Sequence, residues 1–173
     1  MTPALKNKSI ILLAGPTCSG KSTAGPLLAP LLTMDYVDVD EMIEAQAGMS
    51  LMEIFWKDGE EGFRRLEKAS FNEVMNFRNI VISVGGGCLL DPDHLRLALQ
   101  KSFIVTLTAD PQTLWNRCSY DGGRPLARDR VSFMKLLEDR RAHYESLPNR
   151  IDTTRLPPQA VAGEIVRRYR GRS

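Results

Sequence analysis

The chain has 173 residues, 43% of them hydrophobic and 25% charged, with a formal net charge of +2. That size suits one domain with its own core. So small a net charge offers no basic field for nucleic acid or membrane, and any anion has to be met by a local cluster of arginines.

In chain order, strand signals fall at Ser9–Ala14, Met34–Val37, Ile80–Val84, Phe103–Leu107 and Arg150–Thr153. Helical signals fall at Lys21–Leu32, Glu41–Ala47, Ser50–Lys57, Glu60–Phe77, Pro92–Leu99, Pro111–Cys118, Phe133–Ser146 and Pro158–Tyr169. Short strands alternating with helices predict right-handed crossovers and an α/β fold, a parallel sheet covered on both faces. The leading MTPALKNKS runs into only five apolar residues, too few for a signal peptide, and no later run approaches a membrane span. Pro26 and Pro30 stand inside the first helical segment, and Pro30 is expected to kink or end it.

The first strand leads into GPTCSGKS, Gly15–Ser22, which fits GxxxxGK[ST] in the strand-to-helix context that gives the motif meaning. Glycines let the backbone wrap so that N–H groups face phosphates at the positive end of a helix. Lys21 is placed to reach the β- and γ-phosphates, and the Ser22 hydroxyl to hold Mg²⁺. A GTPase switch would need a guanine-reading Asn-Lys-x-Asp stretch, which is absent, and an ATP-driven machine would need room for a coupled domain. A small-molecule kinase remains.

After the second strand comes YVDVD, where Asp38 and Asp40 would face the same way in extended chain. One carboxylate suits Mg²⁺ and the other a hydroxyl proton; the competing reading is a helix N-cap before EMIEAQAG. Arg64 and Arg65 follow Glu60 and Glu61 at the i,i+4 spacing of surface ion pairs. SVGGG then puts three glycines at a strand end, where a ligand can approach backbone. The loop SYDGGRPLARDRVS carries Arg124, Arg128 and Arg130, with Gly122 and Gly123 as hinges, and suits a lid that closes on a triphosphate.

This series of motifs resembles the shikimate kinase family. GKST, VDVD, GEEGFRRLE, SVGGG, the GGRPL lid and DRRAHY occur in that family's order over nearly the whole chain. The resemblance implies a P-loop, three-layer α/β/α fold with a five-stranded parallel sheet, substrate-binding helices and a lid loop. It implies one domain over 1–173, with a substrate-binding region at about 38–66 and a lid at about 119–132. It also implies transfer of the ATP γ-phosphate to the 3-hydroxyl of shikimate, with Mg²⁺. Gly15, Cys18, Ser19, Gly20, Lys21, Ser22 and Thr23 then hold nucleotide, and Asp38 joins Ser22 at the metal. Asp40 binds the acceptor hydroxyl and is the candidate base. Arg64 and Arg140 clamp the substrate carboxylate, with Gly86 and Gly87 offering N–H groups. The four-residue spacing to Tyr144 favours Arg140 over Arg141. Arg124 comes from the lid, while Arg117 and Pro158 flank the adenine.

Three features depart from the family pattern: Cys18 where glycine is usual, the two helix prolines, and TTRLPPQ without an asparagine before its proline. Cys18, Cys88 and Cys118 have no CxxC spacing, and His94 and His143 complete no zinc motif, so free thiols in a reducing cytoplasm are expected. Phe55, Trp56 and Trp115 are expected in core or pocket wall, Cys88 and Cys118 as inert buried thiols, and both histidines on helix surfaces. A cytoplasmic monomer without nucleic-acid or membrane partners is the expected context. The alternatives are a kinase of another small acceptor, such as gluconate or a nucleotide, and a nucleotide-binding regulator without turnover.

Overall fold

A computed structural model describes residues 9–120 and 129–171 of the chain. The expected lid residues Arg124 and Arg128, and the hinge glycines, lie outside the described residues. The elements run β1 (Ile10–Ala14), α1 (Lys21–Leu31), β2 (Asp35–Asp38), α2 (Val39–Ala47) and α3 (Leu51–Val74). They continue with β3 (Ile80–Ser83), a 3₁₀ turn (Cys88–Leu90), α4 (Pro92–Lys101), β4 (Phe103–Thr108), α5 (Pro111–Tyr120), α6 (Arg130–Ser146), β5 (Arg150–Asp152) and α7 (Pro158–Arg170). The five strands are all parallel, in the order β2-β3-β1-β4-β5.

β1 is buried along its whole length, which is why it reads as an unbroken apolar run rather than an alternating one. Its side chains still alternate between faces: Ile10, Leu12 and Ala14 join one apolar cluster, and Ile11 and Leu13 the other. The first cluster takes in Ile43, Ile54, Phe71 and Ala98 from α2, α3 and α4; the second takes in Leu28, Val161 and Ile165 from α1 and α7. A third, smaller cluster of Leu114, Cys118 and Phe133 joins α5 to α6, with Cys18 of the phosphate loop packed against it.

Local chemistry sets the element ends. Ser50 and Glu53 form a reciprocal capping box at the start of α3. The two helices expected at Ser50–Lys57 and Glu60–Phe77 are one span, interrupted only at Gly59, where φ is +68°. Both prolines of α1 are accommodated, and the helix ends at Leu31, one residue past Pro30. Among the described residues no helix is long and apolar enough to cross a membrane.

Three expectations are corrected. Trp56 is 88% exposed rather than in core or pocket wall, and His94 is buried rather than on a helix surface. Cys18 and Cys118 are not free thiols but a disulfide, with Cα atoms 5.5 Å apart. A separation of 100 residues left no spacing signal by which to pair them.

Because the sheet is parallel, the carboxyl ends of β1, β2 and β3 lie along one edge, and the phosphate loop, Asp38 and the three glycines are carried there together. The turn out of β1 needs glycine at its first residue. Gly15 has φ +129°, and a Cβ there would fall on the Leu107 carbonyl oxygen. Gly20 has φ +102° but open space around it. Gly15→Ala is therefore expected to lose more stability than Gly20→Ala, whose loss should be limited to backbone strain of about 1–3 kcal/mol. Urea midpoints of the two variants check this. Equal losses would mean that contact with β4 does not constrain the loop.

Candidate active site

The phosphate loop passes from β1 into α1, and its lysine is held by the loop itself. Lys21 Nζ donates to the Gly15 carbonyl at 2.9 Å and to the Pro16 carbonyl at 2.8 Å, and the side chain is buried. Ser22 follows on the first turn of α1, and its hydroxyl donates to Asp38 Oδ2 at 2.6 Å. Asp38 Oδ1 accepts from the backbone N–H of Asp40 at 2.9 Å and of Glu41 at 3.4 Å. Asp38 is thus the N-cap of α2, ending β2 and tying it to the phosphate loop.

This corrects the expectation that Asp38 and Asp40 share a face of extended chain. β2 stops at Asp38, and Asp40 stands in the first turn of α2. The helix still turns Asp40 into the same cleft, because its Oδ1 lies 3.1 Å from where a Cβ on Gly85 would be.

The three glycines after β3 are the floor on which the charged groups meet. A Cβ at Gly87 would stand 2.9 Å from Arg64 Nη2 and 3.1 Å from Arg140 Nη1, so both guanidinium groups reach the same residue from α3 and α6. A Cβ at Gly86 would stand 3.1 Å from the Thr17 nitrogen in the phosphate loop. The Gly86 carbonyl accepts from the Tyr144 hydroxyl at 2.9 Å, which anchors α6 to the turn. Arg141 is exposed, with Glu138 at 3.4 Å and Glu145 at 3.7 Å.

Arg64 makes the expected ion pair with Glu60 at 3.2 Å, and a shorter one with Glu67 at 2.7 Å. Glu67 is 2% exposed, and no sequence signal marked it. Burial works to lower the pKa of Arg64, but Glu67 and Glu60 outweigh it and the net shift is upward. Burial raises the pKa of the Tyr144 phenol, with Arg140 pulling the other way.

Glu67, Cys88 and His94 bring ligand-type atoms within 4.8 Å of one another, a grouping that sequence spacing did not reveal. Their chemistry is structural. Glu67 is engaged by Arg64, and the His94 Nδ1 lies 3.0 Å from the Cys88 carbonyl. Burial pushes the Cys88 thiol pKa well up, as expected of an inert thiol.

Beside the phosphate loop runs a cleft of about 430 Å³ that brings together Cys18, Ser19, Gly20, Lys21, Ser22, Thr23, Asp38, Asp40, Arg117 and Pro158. Thr153, Leu156 and Val161 also line it, and none had a motif to reveal it. Arg117 donates to the Thr153 hydroxyl at 3.0 Å and to its carbonyl at 2.8 Å. The Thr153 hydroxyl in turn lies 3.0 Å from the Ser19 carbonyl. A loop of N–H groups, a buried ammonium and a hydroxyl beside a carboxylate suits a nucleotide phosphate chain and a hard cation with oxygen ligands. The Ser22 and Asp38 oxygens are the donor pair on hand for Mg²⁺.

The chain resembles known proteins over most of its length. The family model described as shikimate kinase matches residues 17–170. A relative named shikimate kinase from Caldanaerobacter subterraneus subsp. tengcongensis is 35% identical over 162 residues, covering 92% of this chain and 95% of its own. Another of that name, from Nitrosococcus oceani, is 37% identical over 164 residues, covering 92% of this chain and 86% of its own. The solved structure of shikimate kinase from Acinetobacter baumannii in complex with shikimate superposes with a TM-score of 0.89 at 29% identity, covering 97% of this chain and 96% of that one.

The double duty of Asp38 has a measurable signature. Asp38→Ala removes an N-cap and is expected to cost about 0.5–2 kcal/mol, whereas Asp38→Asn retains an oxygen that caps almost equally well. Urea denaturation of both variants checks this. If asparagine costs as much as alanine, the carboxylate charge and not the cap stabilises the junction of β2 and α2.

Proposed function

The chain belongs to the shikimate kinase family, and we propose that it transfers the γ-phosphate of ATP to the 3-hydroxyl of shikimate, giving 3-phosphoshikimate and ADP. The observation that carries this reading is the meeting of Arg64 and Arg140 over Gly87, with Asp40 at Gly85, beside the phosphate loop. Two guanidinium forks suit a small carboxylate, which they can bind bidentately. A carboxylate nearby suits a hydroxyl on the same molecule. A second phosphorylated substrate would instead meet repulsion from Asp40.

In this reading the chain is one kinase domain, with its substrate region at about 38–66 and its lid at about 119–132. Lys21 turns from the loop carbonyls to the β- and γ-phosphates, and the backbone from Gly15 through Thr23, with the Cys18 and Ser19 peptides, cradles them. Gly20 allows the close approach. Ser22 and Asp38 would hold Mg²⁺, which when bound would offset the negative charge of the phosphate chain. Arg117 and Pro158 flank the adenine, and Arg124 of the lid neutralises the transferring group. Gly86 and Gly87 contribute N–H groups to the acceptor.

Asp40 accepts the hydroxyl proton as the oxygen–phosphorus bond forms and ADP leaves. Most of the barrier is lowered by positioning and charge rather than by proton transfer, because phosphoryl transfer passes through a loose transition state. We place the enzyme in the cytoplasm, where ATP is supplied, and read it as a monomer, since these groups all come from one chain.

ADP release measured with shikimate, gluconate and nucleoside monophosphates tests the acceptor directly. Turnover with shikimate alone is expected; turnover with another acceptor, or with none, overturns the reading. The carboxylate clamp makes a sharper prediction. Shikimate with its carboxylate replaced by a neutral amide removes the anion that the two partly buried guanidinium groups would share, although Arg64 keeps Glu60 and Glu67. Removing one partner of a buried pair costs about 3–5 kcal/mol, and partial exposure of Arg64 reduces this toward about 2–3 kcal/mol. A loss of about 10²-fold in kcat/KM is therefore expected. Arg64→Ala and Arg140→Ala should each lose a similar factor on shikimate and far less on the amide. Equal losses on both compounds would mean that the arginines support the fold or the nucleotide instead.

A further inference from the structure

Cys18 sits in the middle of the phosphate loop with φ +61°, a left-handed conformation unusual for a side-chain-bearing residue. Its sulfur is joined to that of Cys118, 100 residues later on α5. Cys118 directly follows Arg117, and Cys18 directly precedes Ser19. Those neighbours are themselves connected, because Arg117 donates to Thr153 and the Thr153 hydroxyl reaches the Ser19 carbonyl. One covalent bond and a short hydrogen-bond chain therefore close a ring on the wall of the nucleotide cleft, which both Cys18 and Arg117 line.

We propose that Cys18 and Cys118 are a reversible thiol–disulfide pair that sets nucleotide affinity. The disulfide form holds Arg117 and the loop carbonyl of Ser19 in the geometry that receives a nucleotide; the dithiol form releases α5 from the loop and binds nucleotide more weakly. The proposal rests on the cleft being the nucleotide site. Binding to a wall already fixed loses less freedom than binding to one that must be ordered first.

The chemistry needs a small-molecule disulfide as oxidant. A cysteine thiolate attacks one sulfur of that compound, forming a mixed disulfide and expelling one thiolate. The second cysteine thiolate then attacks the protein sulfur and expels the other. Two electrons pass from the cysteine sulfurs to the reagent, which leaves as two thiols carrying the two cysteine protons. A small dithiol reverses the sequence. Cys18 lines the cleft, where a small reagent can reach it. Cys88 is fully buried and takes no part.

The whole protein can be equilibrated in glutathione buffers from oxidising to reducing, with thiols counted by alkylation and mass spectrometry. ADP binding by calorimetry is measured on the same samples. Cys18 and Cys118 should titrate together while Cys88 stays unreactive, and ADP affinity should fall roughly five-fold or more on reduction. By linkage, saturating ADP should move the thiol–disulfide midpoint toward the oxidised form by the same factor. Cys118→Ser should bind ADP at the reduced level in every buffer. Three free thiols under oxidising conditions would overturn the proposal. So would a response that persists in Cys118→Ser, or one of opposite sign. ADP binding that is equal in both forms would overturn this proposal alone, whereas no ADP binding in either form would overturn the nucleotide reading as well.

Discussion

The site depends on a backbone without side chains. At Gly85, Gly86 and Gly87 a Cβ would stand 3.1 Å from an Asp40 oxygen, 3.1 Å from the Thr17 nitrogen and 2.9 Å from an Arg64 nitrogen, respectively. Three consecutive residues therefore leave room for three different parts of the site: the acid, the phosphate loop and the guanidinium pair. The turn is fixed from below by β3, which pairs with both β1 and β2, and from the side by the Tyr144 hydroxyl on the Gly86 carbonyl. What is brought together on it comes from the phosphate loop, from the consecutive helices α2 and α3, and from α6 much later in the chain.

Charge is arranged with the same economy of contacts. The chain carries a net charge of only +2, yet Lys21, Arg64, Arg117 and Arg140 all converge on the cleft and its adjoining turn. Each cation whose contacts are described is held by oxygen atoms: loop carbonyls for Lys21, Glu60 and Glu67 for Arg64, and Thr153 for Arg117. For Arg64 and Arg117 such anchoring limits the reorganisation needed when anionic ligands arrive, which is how fixed donors gain their strength in a site of low dielectric, whereas Lys21 exchanges its loop carbonyls for phosphate oxygens.

Much of this was legible in the sequence, because it rests on short-range signals. The buried run before Gly15, the spacing of GKST and the glycines after Val84 predict a strand, a phosphate loop and a close-approach turn by local sterics alone. The two aspartates show the limit of such reasoning. Period-two alternation in YVDVD put them on one face of a strand, but Asp38 satisfies the free N–H groups of α2 and so ends the strand itself. The helical signals leave a gap between Lys57 and Glu60, and the chain closes it to a single interruption at Gly59 within one helix. Glu67, Thr153, His94 and the Cys18–Cys118 bridge were missed for a common reason: their partners, or the elements that bury them, are set by tertiary packing rather than by neighbours in sequence. Trp56 erred in the other direction, since a large aromatic on an amphipathic helix can still point to solvent.

The central claim is that Gly85–Gly87 is the floor on which one small hydroxy acid is held between two arginines and an aspartate. A crystal structure of this protein with shikimate and ADP tests it most directly. The account predicts the carboxylate over Gly87 within hydrogen-bond reach of both Arg64 and Arg140, and the 3-hydroxyl against Asp40 on the side of the phosphate loop. A shikimate carboxylate bound away from both arginines, or a hydroxyl turned away from Asp40, would contradict it.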